Sequence, residues 1–410
     1  MVGFALIWSA TGHGPAAVAL VSTVSVLPPL ALLLLGGALG DRLGPRRMLL
    51  VATSAQLTVA LVLACLATAS SGVAFLASAS ALTATISAFR QPAAIIYPRL
   101  LISDDAQFSR ALARISASVH AARILGVAGG GIAVAAWSLT AVLAMHAGVL
   151  ALTLATLVAL RPSAPEGSRP GGPTGSRASI LDGLASARAL RIGPMLLAVA
   201  LVCAAVLPTV AVVLPSTARA HGWTAPQASL LEAGWAIGTL TITLLISCRG
   251  TLARQGLPLI GGPVLIAGAL AALALPVSAE IAVALSALLG VGTAVFTTHI
   301  APALLRLAPS GQLARFQSLL ALVQLAPPAA LNGPLAALSG SGHGTAALVI
   351  CCAMSGAAAA TIWRDRRRRA APPRSASDPY APAEPPGTAP TPGATPPQGA
   401  AEQQGAAAQR

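Results

Sequence analysis

The chain has 410 residues, of which 55% are hydrophobic and only 9% charged, and its mean hydropathy is +0.78. A soluble domain carries about 25% charged residues, so an ordinary soluble enzyme is excluded. The formal net charge of +14 comes from arginines gathered in the turns of one face, a positive-inside pattern that points to a lipid bilayer and away from nucleic acid.

A spanning helix needs about 20 apolar residues, and such runs recur along the chain with short connections. Met1 to Ala10 precedes a turn at Thr11 to Gly14. A stretch that short covers about 15 Å of a core about 30 Å thick, so helix 1 is expected as its outer half alone, with a natural start upstream of Met1. Helix 2 is expected from Pro15 to Leu39 and helix 3 from Met48 to Ala69. Helix 4 follows the turn Ser70-Ser71-Gly72 and ends near Phe89, before a longer inner connection from Arg90 to Arg114. Helix 5 then runs to Trp137 and helix 6 from Leu139 to Leu160.

Arg161 to Arg191 is rich in Pro, Gly and Ser and reads as a linker. Helices 7 to 12 are expected near Ile192–Pro215, Pro226–Ser247, Leu257–Leu275, Ile281–Leu305, Leu313–Leu338 and Thr345–Trp363. Arg364 to Arg369 forms a stop-transfer cluster, and the Pro/Ala/Gly/Gln-rich remainder offers no core. The expected organisation is an N-terminal bundle at 1–161, a linker at 162–191, a C-terminal bundle at 192–369 and a disordered tail at 370–410.

Arg42, Arg46, Arg47, Arg249, Arg254, Arg306, Arg315 and the Arg364 cluster share one face with the linker. The opposite face carries only Arg219 and Glu280 among charges. The arginine-rich face is therefore expected to be cytoplasmic, the linker and tail with it, and the expected membrane is the plasma membrane. Trp8, Trp137, Trp223 and Trp363 lie near helix ends, where an interfacial belt places them. The cysteines Cys65, Cys203, Cys248, Cys351 and Cys352 lie in or at the ends of apolar runs without metal-ligand spacing, and read as small buried hydrophobes.

The most informative motif is Gly37-Ala38-Leu39-Gly40-Asp41-Arg42-Leu43-Gly44-Pro45-Arg46-Arg47, a polar turn between two apolar runs. Gly40 and Gly44 permit close backbone approach or positive φ, and Asp41 accepts hydrogen bonds from Arg or from a helix N-terminus. The run resembles the G-x-L-x-D-r-x-G-r-r loop between helices 2 and 3 of the major facilitator superfamily (MFS). That resemblance implies an all-α integral membrane fold of two six-helix bundles related by a pseudo-two-fold repeat. It also implies a conformational gate carried by Gly37, Asp41, Arg42, Gly44, Arg46 and Arg47, with Asp41 capping a neighbouring helix. For Arg46 and Arg47, a role in topology is a sufficient explanation.

Within the superfamily, Phe89-Arg90-Gln91-Pro92-Ala93 followed by Tyr97-Pro98-Arg99-Leu100 resembles a loop of the enterobactin-exporter and macrolide-efflux branch. Ala121-Ala122-Arg123-Ile124-Leu125-Gly126-Val127-Ala128-Gly129-Gly130-Gly131 resembles that branch's helix 5 run, where Val127 replaces an expected Pro associated with antiport. Gly126, Gly129, Gly130 and Gly131 still allow close helix packing.

An ionisable residue inside a span is costly, and so a functional candidate. Glu232 lies roughly 9 Å into helix 8; it is suited to carry a coupling proton or meet a cationic substrate, or else to reach out to water. Arg123 and His120 share a face of helix 5. They are suited to an anionic group or a proton relay, or else to snorkelling and a local polar contact. His146, His299, Gln324 and Asn332 are equally readable as helix-packing contacts.

The expected function is secondary active transport by alternating access. The resemblance favours export of a hydrophobic small molecule, a drug or siderophore-like metabolite, by a monomer that uses an ion gradient, with protons as the candidate ion and no cofactor, metal or catalytic residue. Without any Lys, a G-x-x-x-x-G-K-[ST] nucleotide loop is excluded. The alternative is a membrane sensor or scaffold on the same fold that transports nothing. A membrane enzyme would need convergent catalytic groups that the chain lacks.

Overall fold

The structure, a computed structural model, describes residues 1–35, 45–69, 72–102, 104–160, 192–249, 256–306 and 313–370. The described residues form α-helices and short connections, with one helix widened locally into a π turn, and contain no strand. The linker, the tail and the Gly37–Gly44 part of the gate motif lie outside them.

The first six helices are α1 (Val2–Thr11), α2 (Pro15–Leu35), α3 (Pro45–Leu66), α4 (Val73–Leu101), α5 (Asp105–Ala136) and α6 (Leu139–Ala159). The next six are α7 (Gly193–Ala220), α8 (Ala225–Arg249), α9 (Gly256–Leu273), α10 (Ala279–Arg306), α11 (Leu313–Leu338) and α12 (Gly344–Ala370). Most are apolar and long enough to cross a bilayer, while Val2–Thr11, Pro15–Ala31 and Ala121–Ala136 are shorter apolar stretches. Residues Met1–Arg368 pack as one compact unit.

The expected connection from Arg90 to Arg114 is instead almost entirely helical. Chain packing overrides the breaking tendency of Pro92 and Pro98: Tyr97 is buried with Met48, Leu49 and Ala93, and its hydroxyl donates to the Leu160 carbonyl at 3.1 Å. Asp104 then caps α5 by accepting from the Gln107 amide at 2.7 Å, satisfying one of the free N–H groups of the new helix.

Helix 7 outruns its expected end at Pro215 because a π segment, Thr209–Val213, widens the turn between Pro208 and Pro215. Helix 12 continues through the arginine cluster, with the Arg367 guanidinium 3.9 Å above the Trp363 ring one turn away. Trp8, in the last turn of α1, is buried against other helices, 7% exposed.

Two apolar clusters tie the two sets of helices together. The larger joins residues of α7 to α12 with Phe4, Trp8 and Val127. The second gathers α1 to α6 around Val18, Val21 and Leu76, and takes in Val212 of α7 and Ala336 of α11. Each set thus lends side chains to the other's core, and among the helices that cross between them are α5 with α8, which carry Arg123 and Glu232, and α2 with α11, the latter carrying Asn332.

A charge pair at the α5–α8 crossing

Gly131 decides how closely α5 and α8 approach. A methyl group there would overlap the Ser229 side chain and come within 2.9 Å of the Ala225 carbonyl, so any larger residue would push the helices apart. Gly130 and Gly126 lie instead against Met1, and Gly129 has open space. Of the four glycines, Gly131 is therefore the one that sets the contact with α8.

Deeper along the same crossing, Arg123 of α5 meets Glu232 of α8, with Nη2 to Oε1 at 3.8 Å. The guanidinium also lies 4.7 Å from the centroid of the Trp235 ring. Trp235 is three residues beyond Glu232, so both side chains share one face of α8, and Trp235 is buried. The pair is too long for a direct hydrogen bond. Its members are unequally wet, the Arg123 side chain 48% and Glu232 17% exposed. Both therefore retain capacity for another partner.

The α2–α11 crossing is made through Asn332, whose Nδ2 donates to the Ser22 carbonyl at 3.4 Å. Beside it, Gly333 leaves room for Thr23. Asn332 is thus a packing contact between helices. His299 is buried, its Nδ1 2.8 Å from the Val295 carbonyl and 3.2 Å from the Thr298 hydroxyl, which is hydrogen bonding within its own helix. His146 is half-buried on α6, its Nε2 without a hydrogen-bond partner, and Gln324 is half-buried on α11. His120 lies on α5, and its side chain is outside the described residues. Arg46 and Arg47 begin α3, whereas Gly37, Asp41, Arg42 and Gly44 lie outside the described residues.

The profile of the Major Facilitator Superfamily matches residues 1–330. The chain belongs to this superfamily. No curated protein matches the sequence significantly. Among solved structures, a POT family transporter in complex with 5-aminolevulinic acid superposes with a TM-score of 0.65 at 14% identity, over 90% of this chain and 95% of that one. A peptide transporter POT in complex with sulfate gives 0.64 at 15% identity, over 90% and 94%. At such identity the likeness is one of fold. The protein is an all-α MFS secondary transporter that spans the membrane several times and moves a small molecule without enzymatic chemistry.

Sequence reasoning named Arg123 and Glu232 but not their meeting, and it missed Trp235 altogether. The three-residue spacing from Glu232 was the available signal. It also left Arg219 as an isolated charge, although Arg219 contacts Trp8 and Thr11.

Proposed function

We propose that this MFS transporter exports a hydrophobic small molecule, a drug or siderophore-like metabolite, in the manner of the enterobactin-exporter and macrolide-efflux branch. A proton gradient drives it, and Glu232 carries the proton. Two bundles, 1–161 and 192–369, joined by the linker 162–191, rock about a central cavity. In this reading the monomer sits in the plasma membrane, with linker and tail cytoplasmic, and Asp41 and Arg42 gate the cytoplasmic side.

The observation that carries the reading is the Arg123–Glu232 pair, formed between one helix from each set at 3.8 Å. Protonating Glu232 would remove the attraction and free the guanidinium. A proton arriving on one side would thereby weaken a contact made in one conformation only, which is how binding is linked to a conformational change.

The test begins with a drug and metabolite susceptibility panel on strains that carry or lack the gene. The compound so found is then added outside proteoliposomes that contain the purified protein. Accumulation that follows an imposed pH gradient is the expected result. No transport of any compound on the panel would favour the sensor or scaffold, and transport that ignores the pH gradient would remove the proton.

A further inference from the structure

Arg219 is one of only two charged residues on the sparsely charged face, and although it is exposed, its guanidinium is held by α1. From the last turn of α7 its Nε donates to the Thr11 hydroxyl at 3.0 Å and its Nη2 to the Trp8 carbonyl at 3.3 Å. The guanidinium lies 4.4 Å from the centroid of the Trp8 ring. Trp8 and Thr11 close α1, so a residue of the last six helices grips the end of the first helix at three points. The ring of Trp8 is held in turn by Phe4, stacked at 6.1 Å with an interplanar angle of 11°.

Other close contacts also join the two sets of helices. A methyl group at Gly340 would meet Pro15 at 2.6 Å, so the chain just after α11 rests on the start of α2. Gly131 rests on Ser229 in the α5–α8 crossing. These packing contacts need complementary shapes but bring no directional bond. Arg219 supplies one, and the partners it engages, a carbonyl, a hydroxyl and an indole face, bear no formal charge.

We propose that Arg219 is the latch that holds the outer face of the transporter closed, releasing α1 when that face opens. The proposal rests on the alternating-access reading and on the orientation assigned above. An interaction that exists only in the closed state weights the equilibrium toward it by its whole free energy. Because no carboxylate is used, the latch holds irrespective of the charge on Glu232, and the closed state has a restraint separate from the coupling pair.

The test uses cysteine accessibility and needs no substrate, so it can succeed or fail independently of the transport reading. Ser22 is 1% exposed and lies roughly 10 Å along α2 from Pro15. Ser22→Cys, in a background with the native cysteines replaced, is labelled with a membrane-impermeant maleimide in intact cells and in inside-out vesicles. Arg219→Gln is expected to raise the labelling rate from the cell exterior about tenfold, the ratio equivalent to about 1.4 kcal/mol. Arg219→Lys, which keeps the charge but not the fork, is expected to fall between. An unchanged exterior rate overturns the latch, including when the melting temperature falls, because that combination marks a merely structural contact. An increase seen only in inside-out vesicles overturns it too. If Arg219→Gln fails to reach the membrane, Trp8→Leu removes the partner ring and is judged by the same criterion.

Discussion

Replacing Glu232 by Gln removes the negative member of the α5–α8 pair and keeps its shape. At the observed 3.8 Å, two unit charges attract by about 4 kcal/mol at an effective dielectric constant near 20. Arg123 is 48% exposed, so solvent screening brings the net value toward the 0.2–1 kcal/mol or so of exposed pairs. The guanidinium also keeps its place over Trp235 after the change, an interaction of about 0.5–1 kcal/mol in its own right. The pair is therefore worth about 1 kcal/mol, or roughly fivefold in the balance between conformations that make and break it.

Such a change is too small to stop the conformational cycle, but removal of the titrating proton stops coupling altogether. In proteoliposomes, Glu232→Gln is expected to lose accumulation driven by a pH gradient, while exchange of labelled for unlabelled substrate at equal pH stays within about fivefold of wild type. Accumulation retained at the wild-type level would refute the assignment of the proton to Glu232. A hundredfold loss of exchange would refute the energy argument, since it would show that the residue holds the substrate or the fold.

Asp41→Asn is expected to reduce transport strongly at equal membrane abundance, because Asn keeps the shape of Asp and loses its charge-assisted hydrogen bonds; rates measured against membrane levels by immunoblot check this, and a normal rate would remove the gate. Gly131→Leu forces α5 away from Ser229, with an overpacking penalty of about 1–3 kcal/mol; it is expected to lower the melting temperature and raise Ser22→Cys labelling, with partial recovery in the milder Gly131→Ala, Ser229→Gly pair.

The helices were legible where apolar length alone decides them, as for Leu313–Leu338, whose ends are those expected from the sequence. They were misread where tertiary contacts overrule local signals. The charged run from Arg90 to Arg114 suggested a connection, and the burial of Tyr97 among residues of α3, α4 and α6 explains the helix there. At the site, a charge inside a span marks itself by its cost, so Arg123 and Glu232 stood out individually. Nothing in the spacing of residues so distant in the chain encodes a helix crossing, and their meeting needed coordinates. Arg219 was missed for a related reason. Counting charges for topology treats each arginine as a sign, whereas its three partners on α1 are neutral groups with no sequence signature.

The widened turn in α7 has a consequence for the chain's tolerance of length changes. Val210, Val213 and Leu214 face the larger core, while Val212, between them, serves the smaller core built mainly from α1 to α6. One helix thus addresses two cores, since residues at i, i+3 and i+4 share a face and the residue at i+2 points the other way. The π turn holds one residue more than an α turn would. Deleting one residue within Thr209–Val213 would close that turn into an α turn and leave the two ends of α7 close to their present phase, whereas deleting one from the α-helical part ahead of Thr209 would turn everything beyond it by about 100°. In that second case Arg219 would be carried round the axis away from Trp8, and the two ends of α7 would no longer face their own neighbours at the same time. Phase is what α7 encodes, and the π turn is the place where the loss of one residue disturbs it least.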